Sequence, residues 1–473
     1  MMLTKVGPNR YRLEKQGDML VEGRVFLSDA LREQLGDDDS LKQLRDVACL
    51  PGVFKHVLGM PDMHSGFGMP IGGVFAAEAH TGVVSAGAVG MDINCGVRLL
   101  ATDVPAASLS TKALRQLMLS FESRIPTGIG KKTQYAEFRG SALQDIFVQG
   151  AKTVVDKGYG MRADLAVTEE EGQMPGADPE ALTKTAHKRA EQLGTLGGGN
   201  HFIEFCAVSQ IMDEEVAKTF SLRGGALVIL IHSGSRGLGH QTCTDFSRLM
   251  LEAAPRYGLR LPSKGLAAVP IKSPEGERYL AAMSCAVNYA FANRQLMAHA
   301  AREALSEVIG TKSNEVRQVY DVAHNIAKFE MHFGQKVLVH RKGATRALPP
   351  GHPQNPLQYQ STGHPALLPG DMARGSYVVV GTPLLDETFF SVNHGAGRKM
   401  SRSEARRKIS EAELRDNLGA VLVNARNLKA VVDEAPAAYK DIDEVTGVLA
   451  ELGMTRLVAR FKPLAVIKGE DDE

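Results

Sequence analysis

Apolar and polar positions along the chain follow two different periods. The runs GALVILIH (225–232), QKVLVHR (335–341) and SYVVVG (376–381) are rich in Val, Ile and Leu and end at Gly or polar residues, which predicts strands. Apolar residues at helical spacing predict helices over SLKQLRDVACL (40–50), AAMSCAVNYAFANRQLMAHAAREALSEVI (281–309) and SRSEARRKISEAEL (401–414). Ser401 with Glu404 reads as a capping box at the start of the last of these, and His324 in DVAHNIAK (321–328) is placed at a helix start. Two segments break both periods: TEEEGQMPGADPEALTK (168–184) and ALPPGHPQNPLQYQSTGHPALLPG (347–370). Their Pro and Gly content predicts loops, the second of a length that is usually functional or disordered. The terminal GEDDE (469–473) is expected to be a frayed acidic tail. Strands and helices mix without a βαβ rhythm, so the expected class is α+β, and no composition break divides the chain.

Composition changes this picture in two places. Lys and Arg total 55 against 54 Asp and Glu, so any contact with nucleic acid must come from a local patch, not a global basic excess. The five cysteines, at 49, 95, 206, 243 and 285, contain no CxxC, which argues against a zinc ribbon and predicts a reducing, cytoplasmic setting. Residues 1–19 carry no signal-peptide core, and the longest uncharged apolar region, 81–91, is too short and Gly-rich to span a bilayer, so no membrane partner is expected.

The 48 glycines cluster around ionisable residues. PDMHSGFGMPIGG (61–73), GMDINCGVRLL (90–100), LGTLGGGNHFIE (193–204), IHSGSRGLGHQ (231–241) and VNHGAGRKMSR (392–402) each set a His, Cys or Asp among glycines, where backbone can approach a ligand closely. DVAHNIAK has the His and Asn without the Gly. Asp92, Cys95, His201, His232 and His324 together could hold two metals if one ligand bridges. Taken singly, each has an ordinary structural reading: a core thiol, an Asx turn, a hydrogen-bonded strand-end imidazole. Cys95 is expected in an accessible turn. Ligand softness alone names zinc before manganese. His240, His299, His332 and His340 are read as structural, and His352 and His364 as loop residues that could touch substrate. RKGATR (341–346), GRKMSR (397–402) and Arg236 in GSRG place basic side chains beside small residues, a composition that suits phosphate. There is no GxxxxGK[ST], no GxGxxG and no KxDG, so nucleotide chemistry would need another nucleophile.

Eight ordered blocks, the segments just quoted with VHRKGATRALPP (339–350) and KPLAVIKG (462–469), resemble the RtcB family of RNA ligases over nearly the whole chain. The resemblance implies one catalytic domain over residues 1–473 with a distinctive α+β fold. It implies ligation of RNA 3′-phosphate or 2′,3′-cyclic phosphate ends to 5′-hydroxyl ends, with two Mn²⁺ ions and GTP. By motif, Asp92 and His201 would hold one ion, His232 and His324 the other, with Cys95 bridging. His394 would take GMP, and Asp62 would sit close to the metals and assist proton transfer. Asn200, Phe202, Glu204, Asn325, Ser376, Gly395, Ala396, Gly397, Tyr439 and Lys468 would contact the nucleotide. Arg189, Arg236, Lys342, Arg398 and Arg402 would cradle phosphates. RNA with broken ends, from tRNA halves or damage, is the implied partner, with archease as a partner of family members. Asn393 departs from the small residue or Cys more usual before the nucleophile, while HGAGR is intact. Two other readings of the same residues stay open: a metal-dependent phosphoesterase or cyclic phosphodiesterase that does not ligate, and a non-catalytic RNA-binding module.

Overall fold

The computed structural model describes residues 3–36, 38–425 and 428–469. Two large sheets organise them. One has seven strands in the spatial order Leu3–Gly7, Arg10–Leu13, Glu22–Phe26, Val53–His64, Ile71–Glu78, Gln335–Lys342 and Asn325–His332. The other runs Arg317–Ala323, Gly96–Pro105, Ala226–Ser233, Phe202–Ile211, Thr455–Lys468, Gly375–Gly381 and Ala366–Asp371, with Leu422–Val423 added in parallel beside Thr455–Lys468. The strands predicted at 225–232, 335–341 and 376–381 all lie in these sheets as Ala226–Ser233, Gln335–Lys342 and Gly375–Gly381, buried apart from Gln335 and Lys336 at the start of the second. Strands so continuously apolar must be covered on both faces. The mixture of antiparallel sheet and segregated helices is the α+β class expected.

The cover on one side is the helix Pro274–Ile309, 36 residues long and buried around most of its circumference. A helix apolar on all sides belongs in a core. It begins before the predicted 281, because Ser273 caps it, accepting from Gly276 N, and Pro274 fits the first turn. No helix among the described residues is long and apolar enough to cross a membrane.

Several local expectations are corrected. His324 does not start a helix: it lies between the strands Arg317–Ala323 and Asn325–His332, where its N–H donates to Cys95 O at 2.8 Å. Val319, Tyr320 and Val322 suit a buried strand, and tertiary pairing of Arg317–Ala323 with Gly96–Pro105 decides for it. The 401–414 helix is two helices, Arg402–Lys408 and Glu411–Leu418, because Ser410 caps the second by accepting from Glu413 N at 3.1 Å. Only half of the capping box forms. Ser401 Oγ accepts from Glu404 N, while the Glu404 carboxylate goes to Lys408. The helix from Ser40 ends at Val47, short of 50. The end of the 347–370 loop is the strand Ala366–Asp371. The acidic tail, residues 470–473, lies outside the described residues.

Candidate active site and metal centre

Register explains why distant segments meet. Across the second sheet, Ala323 pairs with Gly96 and Gly96 with Ser233. Next to this row, His232 pairs with Phe202 and Phe202 with Lys468. The residues bracketing these positions, Cys95, His201, His232 and His324, therefore emerge at one edge of one sheet. Asp92 reaches the same edge through a tight turn in which Cys95 N donates to Asp92 O at 2.9 Å. Asn94 takes a φ of +51° in that turn, a conformation Asn tolerates better than most residues.

The five side chains converge. His201 Nε2 stands 2.7 Å from Asp92 Oδ2 and 3.5 Å from Cys95 Sγ. His232 Nε2 stands 3.2 Å from Cys95 Sγ and 3.3 Å from His324 Nε2. Two triads result, Asp92–Cys95–His201 and Cys95–His232–His324, each with its ligand atoms within 4.8 Å of one another and with Cys95 common to both. Burial pushes the imidazoles of His232 and His324 well below their usual range, so both are neutral and present lone pairs. His201 Nδ1 faces Leu196 O at 3.1 Å; a carbonyl only accepts, so Nδ1 carries the proton and Nε2 is free to ligate. His232 Nδ1 is buried without a partner. Facing lone pairs that cannot satisfy one another fit a cation, and Cys95 Sγ is common to both triads. Cys95 itself is 1% exposed, which corrects the accessible turn expected of DINCGVR. The glycine there serves packing: a Cβ on Gly96 would lie 2.5 Å from Val322 O and 3.2 Å from Arg294 Cζ.

The cluster opens into a cavity of about 260 Å³ whose lining includes His232 and His394. The rings of His324 and His394 have centroids 4.9 Å apart. Asp62 Oδ2 accepts from His394 Nδ1 at 2.6 Å, from His394 N at 2.8 Å and from Gly395 N at 3.4 Å. With Nδ1–H committed to a fully buried carboxylate, Nε2 is left as the lone pair. Asp62 thus meets the site through His394. Gly397 is required here by close approach, since a Cβ would lie 2.3 Å from Asp62 O.

Of the nucleotide residues expected, Asn200, Phe202, Glu204, His394, Gly395, Ala396, Gly397, Tyr439 and Lys468 line the cavity, with Arg398 and Arg402 from the phosphate set. The others do not line it. Ser376 is buried behind the wall and accepts from Gly370 N at 3.3 Å. Asn325 donates to Asp92 O at 3.0 Å and accepts from Gly343 N at 2.8 Å, bracing the ligand turn. Lys342 Nζ is spent on Phe67 O at 2.5 Å and Gly87 O at 3.0 Å. Arg236 donates to Thr195 Oγ1 at 3.2 Å and packs where Gly197 has no side chain. Arg189 packs its side chain against Gly237. His364 is stacked on Tyr320 in the core, so that loop histidine is structural.

Sequence reasoning missed Glu434. It is buried at the cavity wall with Arg402 Nη1 at 2.9 Å, Arg398 Nη1 at 3.2 Å and Lys468 Nζ at 3.2 Å, and accepts from Tyr439 OH at 2.5 Å. Burial alone would raise its pKa, but Lys468, Arg402 and Arg398 outweigh burial and hold it down to about 2. Its neighbourhood, VVDEAPAAY (431–439), has no Gly or His and so lacks the compositional signal that marked the other segments. Burial pushes Glu204 up to about 8 despite the pull of Lys468. Asp371, also in the lining, was foreshadowed only by the Pro-Gly end of the long loop.

Comparison with known proteins identifies the family. The family model described as "tRNA-splicing ligase RtcB" matches residues 43–469. A tRNA-splicing ligase RtcB of Thermococcus kodakarensis is 45% identical over 461 residues, covering 95% of each chain. One from Methanococcus maripaludis is 43% identical over 479 residues, covering 99% of each. An RNA-splicing ligase RtcB of Mycobacterium bovis is 42% identical over 435 residues, covering 90% of this chain and 100% of its own. With a ligand cluster, a carboxylate-held histidine and a cation-lined cavity at one sheet edge, and with relatives matched along almost its full length, this chain belongs to the RtcB family and is an RNA ligase.

Proposed function

We propose that the enzyme joins RNA 3′-phosphate or 2′,3′-cyclic phosphate ends to 5′-hydroxyl ends, using GTP and two manganese ions, with His394 as the guanylylated residue. The observation that carries this reading is His394 itself. Its Nδ1 is locked on Asp62, and the residue lines a cavity that also holds His232 of the ligand cluster and three cationic side chains. The chain acts as one catalytic domain over residues 1–473.

A cyclic end is first hydrolysed to the 3′-phosphate. His394 Nε2 attacks the α-phosphorus of GTP, the bond to the β-phosphate oxygen breaks, and pyrophosphate leaves with the electron pair. The ring then carries positive charge, which the Asp62 carboxylate at Nδ1 offsets. An oxygen of the RNA 3′-phosphate next attacks that phosphorus, and the P–N pair returns to Nε2. The 5′-hydroxyl finally attacks the RNA phosphorus, GMP departs with the bonding pair, and the hydroxyl proton is lost. Held by Asp92 and His201 on one side and His232 and His324 on the other, with Cys95 between, the cations would neutralise charge on the reacting phosphates. Ligand softness would admit zinc; manganese is the ion that the resemblance to the family implies.

Phe202 and Tyr439 offer faces for the base and ribose, and Glu204, Lys468 and Asn200 offer polar contacts, with Ser376 and Asn325 supporting from behind the wall. Arg398 and Arg402 serve phosphate once their pairing with Glu434 is shared with the ligand, and Arg189, Arg236 and Lys342 shape the surrounding backbone. Broken RNA, from tRNA halves or from damage, is the substrate class, the cytoplasm the setting, and archease the partner this reading implies. The test is a pair of RNA fragments, one ending in a 2′,3′-cyclic phosphate and one beginning with a 5′-hydroxyl, incubated with Mn²⁺ with and without GTP. A joined product that needs GTP is expected. Conversion to a 3′-phosphate with no joining would favour the hydrolase and overturn the proposal.

A further inference from the structure

The long helix carries three consecutive polar residues, Asn293, Arg294 and Gln295, at 0% exposure in its largely apolar middle. Burying a guanidinium is costly unless every donor is matched. At Arg294 all five N–H groups are matched. Nε donates to both Asp321 oxygens at 3.0 Å. One Nη1 proton goes to Asn94 O and the other to Ser233 O, each at 2.8 Å. Nη2 goes to Asp321 Oδ1 at 2.7 Å and Asn94 Oδ1 at 3.0 Å. Asp321 is held from its other side by Arg98 Nε at 2.7 Å.

The partners are not scattered. Asn94 immediately precedes Cys95, Ser233 immediately follows His232, and Asp321 stands three residues before His324 on the strand that delivers it. One planar fork therefore touches the three segments that supply the Cys95–His232–His324 triad. Asn293 adds the fourth segment: its Oδ1 accepts from Gly194 N at 2.7 Å while its Nδ2 donates to Ser233 Oγ at 3.2 Å, tying the loop that leads to His201 onto the same strand end. The close approach is built into the ligand turn as well, since a Cβ on Gly96 would crowd the Arg294 guanidinium.

We propose that Arg294 is a positioning residue for the metal centre: its guanidinium fixes the spacing of the segments bearing Cys95, His232 and His324, so that the site is set before a cation arrives. The inference rests on the metal reading proposed above. A lysine in this place has one point-like ammonium with three donors and cannot reproduce the five-donor planar network across the three segments. Its loss should act on cation affinity and ligand geometry, not on folding alone. Outer-shell partners of metal ligands are typically worth about 10–100-fold in metal affinity.

The same helix supplies a control. Arg302 is equally buried and ion-paired, with Nη1 and Nη2 each 2.7 Å from an Asp164 oxygen, and none of its hydrogen bonds reaches a ligand-bearing loop. The test measures uptake of Mn²⁺ alone and of Co²⁺ alone by the metal-free full chain, with the thiolate-to-cobalt absorption band as the report of geometry. Arg294→Lys should bind Mn²⁺ about 10–100-fold more weakly and shift or weaken the band. Arg302→Lys should melt lower yet bind within about threefold of wild type. If Arg294→Lys does not fold, Asn94→Gly decides. Glycine accepts the φ of +51° and removes one acceptor of the fork, and weaker binding with a changed band is expected. Unchanged affinity and band in whichever variant folds, or an equal loss of affinity in Arg302→Lys, overturns the inference. A wild-type chain that takes up no cation overturns instead the metal reading beneath it.

Discussion

Asp62 offers the sharpest single perturbation. Its Oδ2 receives His394 Nδ1–H and the backbone N–H groups of His394 and Gly395, while Oδ1 is buried without a partner. Asp62→Ala strips the acceptor from all three donors and frees the imidazole to turn or change tautomer. A hydrogen bond to a charged partner contributes about 1.5–3 kcal/mol. If only the Nδ1 bond matters to the reacting ring, guanylylation should slow by about 10–150-fold, at about 1.4 kcal/mol per decade. Asp62→Asn can keep an oxygen toward His394. It loses the charge and buries an amide N–H₂ where Oδ1 had no partner, so a loss of about 5–30-fold is expected from weakening a charged bond to a neutral one. The assay is single-turnover transfer of labelled GMP at saturating GTP, with GTP affinity and Mn²⁺ uptake measured alongside. Both variants should bind Mn²⁺ and GTP nearly as wild type does. Transfer by Asp62→Ala within about threefold of wild type would refute the orienting role.

Glu434→Gln should cost about 3 kcal/mol at neutral pH, chiefly because it leaves the buried Lys468 ammonium, with the part-buried Arg398 beside it, facing a neutral group. The folded-state pKa is depressed, so the contribution is present above about pH 4.5 and fades as pH falls toward 2; the gap between variant and wild type in urea unfolding should narrow from pH 7 to pH 3, and a gap that widens would contradict the pairing. In the native chain, a thiol reagent should modify Cys49 first, the one cysteine that is not buried, and reach Cys95 only on unfolding. Peptide mass mapping that finds Cys95 modified at the rate of Cys49 would contradict its placement.

The ligand cluster was legible because its members share a composition: Asp92, Cys95, His201 and His232 each stand among glycines. What those glycines do was not legible. Gly96 suggested an open turn around Cys95, yet it is small because Val322 O and Arg294 press on that position. Strand type at 225–232, 335–341 and 376–381 followed from apolar continuity, whereas AHNIAK carries no decisive period and is extended through pairing of Ala323 with Gly96 and of Asn325–Lys328 with the strand Gln335–Lys342. The break at Ser410 was hidden because helical spacing continues across it while the serine prefers to cap. Glu434 and Arg294 were invisible for a common reason. Each is a charged residue in an unremarkable local context, and its importance comes mainly from charged partners far away in sequence. Lys342 shows the converse: beside Gly343 it looked free to meet phosphate, and in the fold its ammonium is held by two carbonyls.

The central claim is that His394 Nε2 is the atom that takes GMP. The direct measurement incubates wild type and His394→Ala with α-labelled GTP and Mn²⁺, denatures them, and maps the adduct by peptide mass. The account predicts an acid-labile GMP adduct on the peptide containing His394, and none in His394→Ala although that variant still takes up Mn²⁺. A full adduct in His394→Ala, or an adduct mapped to another residue in the wild type, would contradict it.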